Sequence, residues 1–154
     1  MPGVGLQGGG ILREYFPFLF LQVSAMPNPR VSLRGCRIVV AAADPRLVAY
    51  VSHVLTEADC RVFRAYDAQA VAELALGGTL QVDLVVTNSC VGEVEGDTLV
   101  AALRRHLPRL PVLHISAGTA QDREVAANVP ADVPTLEEPF TDEQLLQAVR
   151  SLLH

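Results

Sequence analysis

The stretch that decides the fold is Asp83-Leu84-Val85-Val86-Thr87-Asn88, in the middle of a chain of 154 residues. Consecutive apolar and β-branched side chains are typical of a strand that is covered on both faces, as in a parallel sheet. We therefore predict a buried strand over residues 82–87. Asn88 follows that strand directly, and open parallel sheets carry their functional sites at the carboxyl ends of strands. Asn88 is thus the first candidate site residue.

Strand-like and helix-like segments alternate on both sides of this stretch. Strands are predicted over residues 37–42, 61–65, 82–87, 111–116 and 133–137, and the arginine-containing segment 61–65 is predicted to be half-exposed or at a sheet edge. Amphipathic helices are predicted after Asp44-Pro45, from Asp67 to Gly77, over 97–106, over 121–128, and from the capping box Thr141–Gln144 to Leu153. Five such units imply an α/β fold, a doubly wound five-stranded parallel sheet in a flavodoxin-like three-layer sandwich.

Residues 1–33 differ in composition from the rest of the chain. They contain a glycine-rich start and a dense apolar run at 15–23, which is shorter than the roughly 20 residues that span a bilayer. A signal peptide is an alternative interpretation, because Arg13 precedes the run and small residues follow it. We predict that residues 1–33 are a disordered or non-native extension, that residues 34–154 form one domain, and that no segment spans a membrane.

Composition narrows the classes of function. The net charge is -5, and the 12 basic residues are all arginines without a basic patch, which argues against nucleic-acid binding. The three cysteines, Cys36, Cys60 and Cys90, are an odd number without metal-ligand spacing. They predict reduced thiols in a cytoplasmic protein.

Residues 38–153 resemble the receiver domain of bacterial two-component response regulators. The resemblance is carried by three segments: the stretch 83–88 followed by Gly96, the stretch 110–116 that ends in Ser116, and the turn Glu138-Pro139-Phe140. Their order, their spacing and their alternation with helices are those of the family. The resemblance implies the receiver fold and a role in phosphorelay signalling.

The family resemblance also implies a set of functional groups. An acceptor aspartate follows the third strand and attacks the phosphohistidine of a partner kinase. Two acidic residues after the first strand hold Mg²⁺, which neutralises charge on the transferring phosphoryl group. A lysine and a Ser/Thr hydroxyl contact the phosphoryl oxygens, and an aromatic residue on the fifth strand follows the hydroxyl.

At the matching positions, this chain keeps only the hydroxyl, at Ser116. Asn88 stands at the position of the acceptor aspartate, Glu138 at that of the lysine, and Thr135 at that of the aromatic residue. Ala42 and Ala43 stand at the positions of the acidic pair, and Asp44 follows one residue later. A one-residue gap would move Asp44 into the acidic pair, but no gap supplies a lysine, because the chain contains none. We expect no catalytic residue, no metal site and loss of Mg²⁺ binding.

Several of these residues have simpler structural interpretations. Asp44 precedes Pro45 and is predicted to be a helix N-cap. Ser116 is predicted to be a loop hydroxyl bonded to backbone. His106 lies in the basic last turn of a helix, where a cation suits the helix dipole, so we do not interpret it as a phosphohistidine. Cys90 has no basic neighbour in sequence that would activate it as a redox group.

Three classes of function remain. The first is a stand-alone receiver-like module that is not phosphorylated, is not an enzyme, and binds a protein partner such as a sensor kinase or regulator, with a homodimer through the last helix as a further possibility. The second is a conventional phosphoacceptor receiver with altered chemistry. The third is an unrelated doubly wound enzyme or nucleotide-binding protein, but Ala41-Ala42-Ala43-Asp44-Pro45 stands where a glycine-rich phosphate loop is expected. Because the sequence ends after the last helix, we expect the output in a partner.

Overall fold

A five-stranded parallel sheet forms the centre of this computed structural model, which describes residues 32–153. The strands are β1 (Arg37–Ala41), β2 (Arg61–Ala65), β3 (Leu84–Asn88), β4 (Cys90–Val91), β5 (Val94–Glu95), β6 (Val112–Ser116) and β7 (Thr135–Glu137). The helices are α1 (Pro45–Glu57), α2 (Ala68–Leu76), α3 (Gly96–His106), α4 (Ala120–Ala127) and α5 (Asp142–Leu152). The five strands of the central sheet are ordered β2-β1-β3-β6-β7. β4 and β5 form a separate antiparallel hairpin.

The strand order confirms the doubly wound fold. The chain moves outward from β1 to β2 and then returns to place β3 on the other side of β1, so the topological switch point lies between β1 and β3. β2 is an edge strand, as its two arginines predicted. All four strand pairs in this sheet are parallel.

Two hydrophobic cores cover the two faces of the sheet. One contains apolar side chains of α1 and α5 packed on the sheet, and the other contains those of α2 and α3. Strand residues alternate between them, since Ile38 and Val40 belong to the first core and Val39 and Ala41 to the second. Full cover on both faces explains why the strands are continuous apolar runs.

The domain boundary and the helix caps have local causes. The predicted N-terminal extension lies, over residues 1–31, outside the part of the chain that the structure describes. Leu33 is 3% exposed and belongs to the first core, one residue ahead of the predicted start of the domain. Asp44 caps α1 and Thr141 forms the predicted capping box of α5 with Gln144. No helix within residues 32–153 combines the length and the apolar character of a transmembrane segment.

The predicted limits of β3 and β7 need correction. β3 runs from Leu84 to Asn88, two residues later than predicted at its start, and it includes Asn88 itself. β7 begins at Thr135 because the Val133 N–H is used in a turn to the Pro130 carbonyl and Pro134 has no N–H to donate. The β4–β5 hairpin was not predicted.

Candidate functional site at the carboxyl edge of the sheet

Strand register brings the candidate residues to one edge of the sheet. Ala41 lies opposite Thr87, so the residues that follow, Ala42 and Asn88, leave adjacent strand ends. Asn88 lies opposite Ile115, one residue before Ser116. Ser116 in turn lies opposite Glu137, and the next residue, Glu138, donates its N–H to the Ser116 carbonyl at 2.8 Å.

Asn88 ends β3 beside a close backbone contact. Its side chain is half-buried, and its Oδ1 accepts a hydrogen bond from the Ser89 N–H. Gly96, at the start of α3, donates its N–H to the Ser89 carbonyl at 2.9 Å, and a Cβ on Gly96 would overlap the Asn88 carbonyl oxygen. Gly96, eight residues after Asn88, is therefore needed because the chain passes too close to the Asn88 backbone to leave room for a side chain.

The loop after β1 offers one carboxylate, and that carboxylate is a helix cap. Ala42 is 1% exposed, and Ala43 donates its N–H to the Cys90 carbonyl at 3.0 Å. Asp44 Oδ1 accepts from the Arg46 N–H at 2.9 Å and from Arg46 Nε at 3.4 Å. These hydrogen bonds from Arg46 lower the pKa of Asp44. The prediction that Asp44 is an N-cap is confirmed.

Ser116 and Thr135 lie in different environments. Ser116 is 1% exposed, and its Oγ accepts from the Gly118 N–H at 3.2 Å, so its hydroxyl is bonded to backbone at the end of a strand rather than in a loop. Thr135 is exposed at the start of β7, opposite His114. The residue at the switch-aromatic position is therefore a small, exposed side chain on the edge strand.

Glu138 adds negative charge to this edge. It is joined to Pro139 by a cis peptide bond. Burial raises its pKa, and so do the nearby carboxylates of Asp122 and Asp44. Within the described residues no ion pair involves Glu138, whereas Asp44 has Arg46 beside it. The carboxylates of Glu138, Asp122 and Asp44 thus place three negative charges along the carboxyl edge of the sheet.

The structure adds three polar residues that sequence reasoning missed: Ser89, His114 and Asp122. His114 is completely buried, and its Nε2 lies 3.4 Å from the Ser89 Oγ. Asp122, in the first turn of α4, accepts from the Ala117 N–H at 3.0 Å. Two sequence signals were available: a histidine inside an apolar strand, and the helix-start pattern Thr119-x-x-Asp122.

His106 lies away from this cluster, and the three cysteines form no disulfide bonds. His106 is exposed at the end of α3 and lines a cavity of about 550 Å³ whose walls include Leu80 and Leu110. That cavity lies at the amino edge of the sheet and contains none of the candidate residues. Cys36, Cys60 and Cys90 are free thiols, of which Cys90 is exposed. Burial raises the pKa of Cys60 to about 11, as expected of an unreactive thiol.

Comparisons with known proteins agree with this architecture. The sequence profile of the response regulator receiver domain matches residues 38–150. A response regulator receiver protein from Sinorhizobium medicae has a similar structure, with 30% sequence identity, a TM-score of 0.68, and coverage of 79% of this chain and 97% of that one. A search of curated proteins gave no match.

Two further solved structures share the fold at lower identity. A putative response regulator from Chloroflexus aurantiacus is 20% identical, with a TM-score of 0.69 and coverage of 78% of this chain and 98% of that one. The receiver domain of a sensor histidine kinase from Pseudomonas aeruginosa, which has a magnesium ion coordinated in its active site cleft, is 17% identical, with a TM-score of 0.67 and coverage of 77% and 98%.

The profile match extends over most of the chain, and the S. medicae protein is similar over nearly its whole length. The chain therefore belongs to the response regulator receiver domain family of two-component systems.

Proposed function

We propose that this chain is a receiver that does not accept a phosphoryl group and that signals by binding a protein partner. The observation that carries the proposal is Asn88 at the tip of β3, the position that corresponds to the family's acceptor aspartate. A side-chain amide cannot form an acyl phosphate. The Asn88 amide oxygen is also engaged by the Ser89 N–H.

Electrostatics supports the same conclusion. A phosphoryl group carries about two negative charges near neutral pH. At 4 Å from a carboxylate, each like-charge pair costs about 4 kcal/mol at an effective dielectric constant near 20. Glu138 stands at the position of the family's lysine, and Asp122 and Asp44 lie close enough to raise its pKa. A bound phosphoryl group would meet repulsion where the family supplies a cation.

The donor set does not fit Mg²⁺. Mg²⁺ takes six oxygen ligands in octahedral geometry, usually one or two protein carboxylates together with several waters. Ala42 and Ala43 supply no side-chain oxygen, and the Asp44 carboxylate is turned to the start of its own helix and to Arg46. Within residues 32–153, His, Cys, Asp and Glu side chains form no group of three arranged for a metal ion. We therefore propose that magnesium-assisted phosphoryl transfer has been lost, and that the protein is a binding module and not an enzyme.

The partner-binding role rests on what the domain keeps. The fold, both cores and the helix caps are intact although the phosphorylation groups are replaced. The natural partner of such a domain is a sensor kinase or another regulator in the cytoplasm, with α5 and the neighbouring β7 as the proposed contact surface. A homodimer through α5 is the alternative use of the same surface.

Incubation with acetyl phosphate and Mg²⁺, followed by intact-mass measurement, tests the proposal. We expect no mass gain under conditions that phosphorylate a conventional receiver processed in parallel. An acyl phosphate at stoichiometric yield on any aspartate, Asp44 and Asp122 included, would support the alternative of a phosphoacceptor with altered chemistry.

A further inference from the structure

Cys36 and Cys60 are neighbours at the amino edge of the sheet. Arg37 lies opposite Arg61 in the parallel pair of β1 and β2, and the Arg61 N–H donates to the Cys36 carbonyl at 2.7 Å. Each cysteine stands directly before that pair and continues its register. Adjacent strands of a sheet lie about 4.7–4.9 Å apart. That spacing falls within the range of about 4.4–6.8 Å between α-carbons that a disulfide bond spans.

The two thiols also lie on the same face of the sheet. Side chains two residues apart on a strand share a face, and Ile38, two residues after Cys36, belongs to the first core. Cys60 is a member of that core, and Cys36 packs against it. The charge of Cys36 contributes to the raised pKa of Cys60, as expected of neighbouring sulfurs. Both are free thiols in this structure.

The two thiols differ in their access to a reagent. Cys60 is 6% exposed, whereas Cys36 is half-buried. Cys36 lines an open cavity of about 460 Å³ whose walls include Asp83, Pro111 and Leu152. A small molecule that enters this cavity meets Cys36 and not Cys60. Cys36 is therefore the sulfur that reacts with a reagent, and Cys60 is the sulfur placed to react with Cys36.

We propose that Cys36 and Cys60 form a redox modification site, which closes to an internal disulfide bond on reaction with a small-molecule disulfide. The Cys36 thiolate attacks one sulfur of the reagent, forms a mixed disulfide and releases one reagent thiolate. The Cys60 thiolate then attacks Cys36 Sγ, forms the internal bond and releases the second reagent thiolate. The two protons lost by the cysteines are taken up by the released thiolates, so two cysteines are oxidised and one reagent disulfide is reduced to two thiols.

The pKa values of the two cysteines make this closure dependent on pH. Burial raises the pKa of Cys60 to about 11, and burial and the Asp83 carboxylate raise the pKa of Cys36. Only the thiolate attacks a disulfide, so the rate of closure should rise about tenfold per pH unit between about pH 7 and pH 9. The fixed position of the two sulfurs gives the second step a high effective concentration, which offsets the small thiolate fraction of Cys60.

The bond has a structural consequence for the domain. It closes a loop that contains all of α1, and Cys36 shares its cavity with Leu152 and Leu153 at the end of α5. Closing a loop restricts the unfolded chain, so the midpoint of thermal unfolding should rise by about 10 °C on oxidation. Cys36 and Cys60 lie at the amino edge and Asn88 at the carboxyl edge, so this inference does not depend on the proposed function.

Incubation of the full chain with oxidised glutathione at mildly alkaline pH tests the proposal. Cys90→Ser is the background, because the exposed Cys90 would take up the reagent by itself. We expect an intact mass lower than that of the reduced chain by the two hydrogens lost, a cross-linked Cys36–Cys60 peptide in a non-reducing digest, and a higher unfolding midpoint.

Cys60→Ala in the same background is the matched control. It should stop at the mixed disulfide and keep one glutathione on Cys36, since the second sulfur is missing. Two results in the Cys90→Ser protein would overturn the proposal: glutathione retained on Cys36 with Cys60 still free, or no reaction at Cys36. The peptide digest of the Cys90→Ser protein decides between these results even should Cys60→Ala fail to fold.

Discussion

The backbone carbonyl oxygen of Asn88 lies where a β-carbon on Gly96 would stand. The contact leaves no room for a side chain on Gly96, and the Gly96 N–H donates to the neighbouring Ser89 carbonyl at 2.9 Å. The first residue of α3 thereby fixes the end of β3 and the side chain that the strand presents at the carboxyl edge. We therefore expect that a single methyl group added at Gly96 changes the free energy of unfolding.

Gly96→Ala should destabilise the domain by about 1–3 kcal/mol, the range for a group forced into a packed position. The sign is informative, because an alanine in an open helical position would stabilise by up to about 1 kcal/mol relative to glycine. Urea unfolding measures the change. Thr98→Ala, at an exposed position of the same helix, should stay within about 0.5 kcal/mol of the parent protein. A stabilised Gly96→Ala variant would refute the close contact.

Glu138→Gln should stabilise the domain at neutral pH. Burial and the nearby Asp122 and Asp44 raise the pKa of Glu138 in the folded state. A raised folded pKa means that stability is fully present below the unfolded pKa and is lost as pH rises through the folded pKa. The gain from the neutral glutamine should therefore appear above that folded pKa and disappear at about pH 3, below the usual range for glutamate.

Thermal unfolding of Glu138→Gln across that pH range checks the sign. Glu137→Gln provides the control, because Glu137 is the exposed residue directly before Glu138, at the end of β7. We expect no comparable gain in the control. A glutamine at 138 that destabilises the protein at neutral pH would show that the carboxylate has a favourable partner.

Thr141→Ala should cost about 1 kcal/mol, the usual loss for an N-cap side chain. Thr141 Oγ1 accepts from the Gln144 N–H at 3.0 Å, and the Gln144 side chain accepts from the Thr141 N–H at 2.8 Å, which makes a reciprocal pair. Urea unfolding measures the loss. Ser151→Ala, near the other end of α5, should change stability by no more than about 0.5 kcal/mol. Equal effects of the two substitutions would contradict the capping role.

Local signals account for the parts of the fold that the sequence could predict. Asp44-Pro45 and the Thr141–Gln144 pair satisfy helix N-termini through neighbours only a few residues away, so their roles follow from sequence. The apolar run at 84–86 is buried whichever strands flank it. The doubly wound parallel sheet followed from the alternation of strands and helices and from the family resemblance.

The polar cluster behind the carboxyl edge could not be predicted in the same way. Ser89, His114 and Asp122 meet only when β3, β6 and α4 are assembled, and their contacts depend on strand register and on the path of two loops. The start of β7 was also missed, because a turn from Val133 to Pro130 competes with the ladder. Both the polar cluster and the start of β7 depend on contacts between segments that are distant or competing in the folded chain.

Asn88→Asp should not restore phosphorylation by itself. The variant supplies a carboxylate at the tip of β3, but Glu138 keeps its charge and Ala42 and Ala43 still provide no metal ligand. A further carboxylate at this edge should instead lower stability at neutral pH and leave it unchanged near pH 3, since like charges repel only when ionised. Unfolding measurements at the two pH values check that expectation.

The most direct test of the central claim measures parent protein and Asn88→Asp side by side. Both are incubated with acetyl phosphate and Mg²⁺, and their intact masses are compared with that of a conventional receiver. We predict no phosphoryl adduct on either protein, because the pocket as a whole rejects the group. Efficient phosphorylation of Asn88→Asp would contradict the account, since it would leave the missing acceptor as the sole departure that matters.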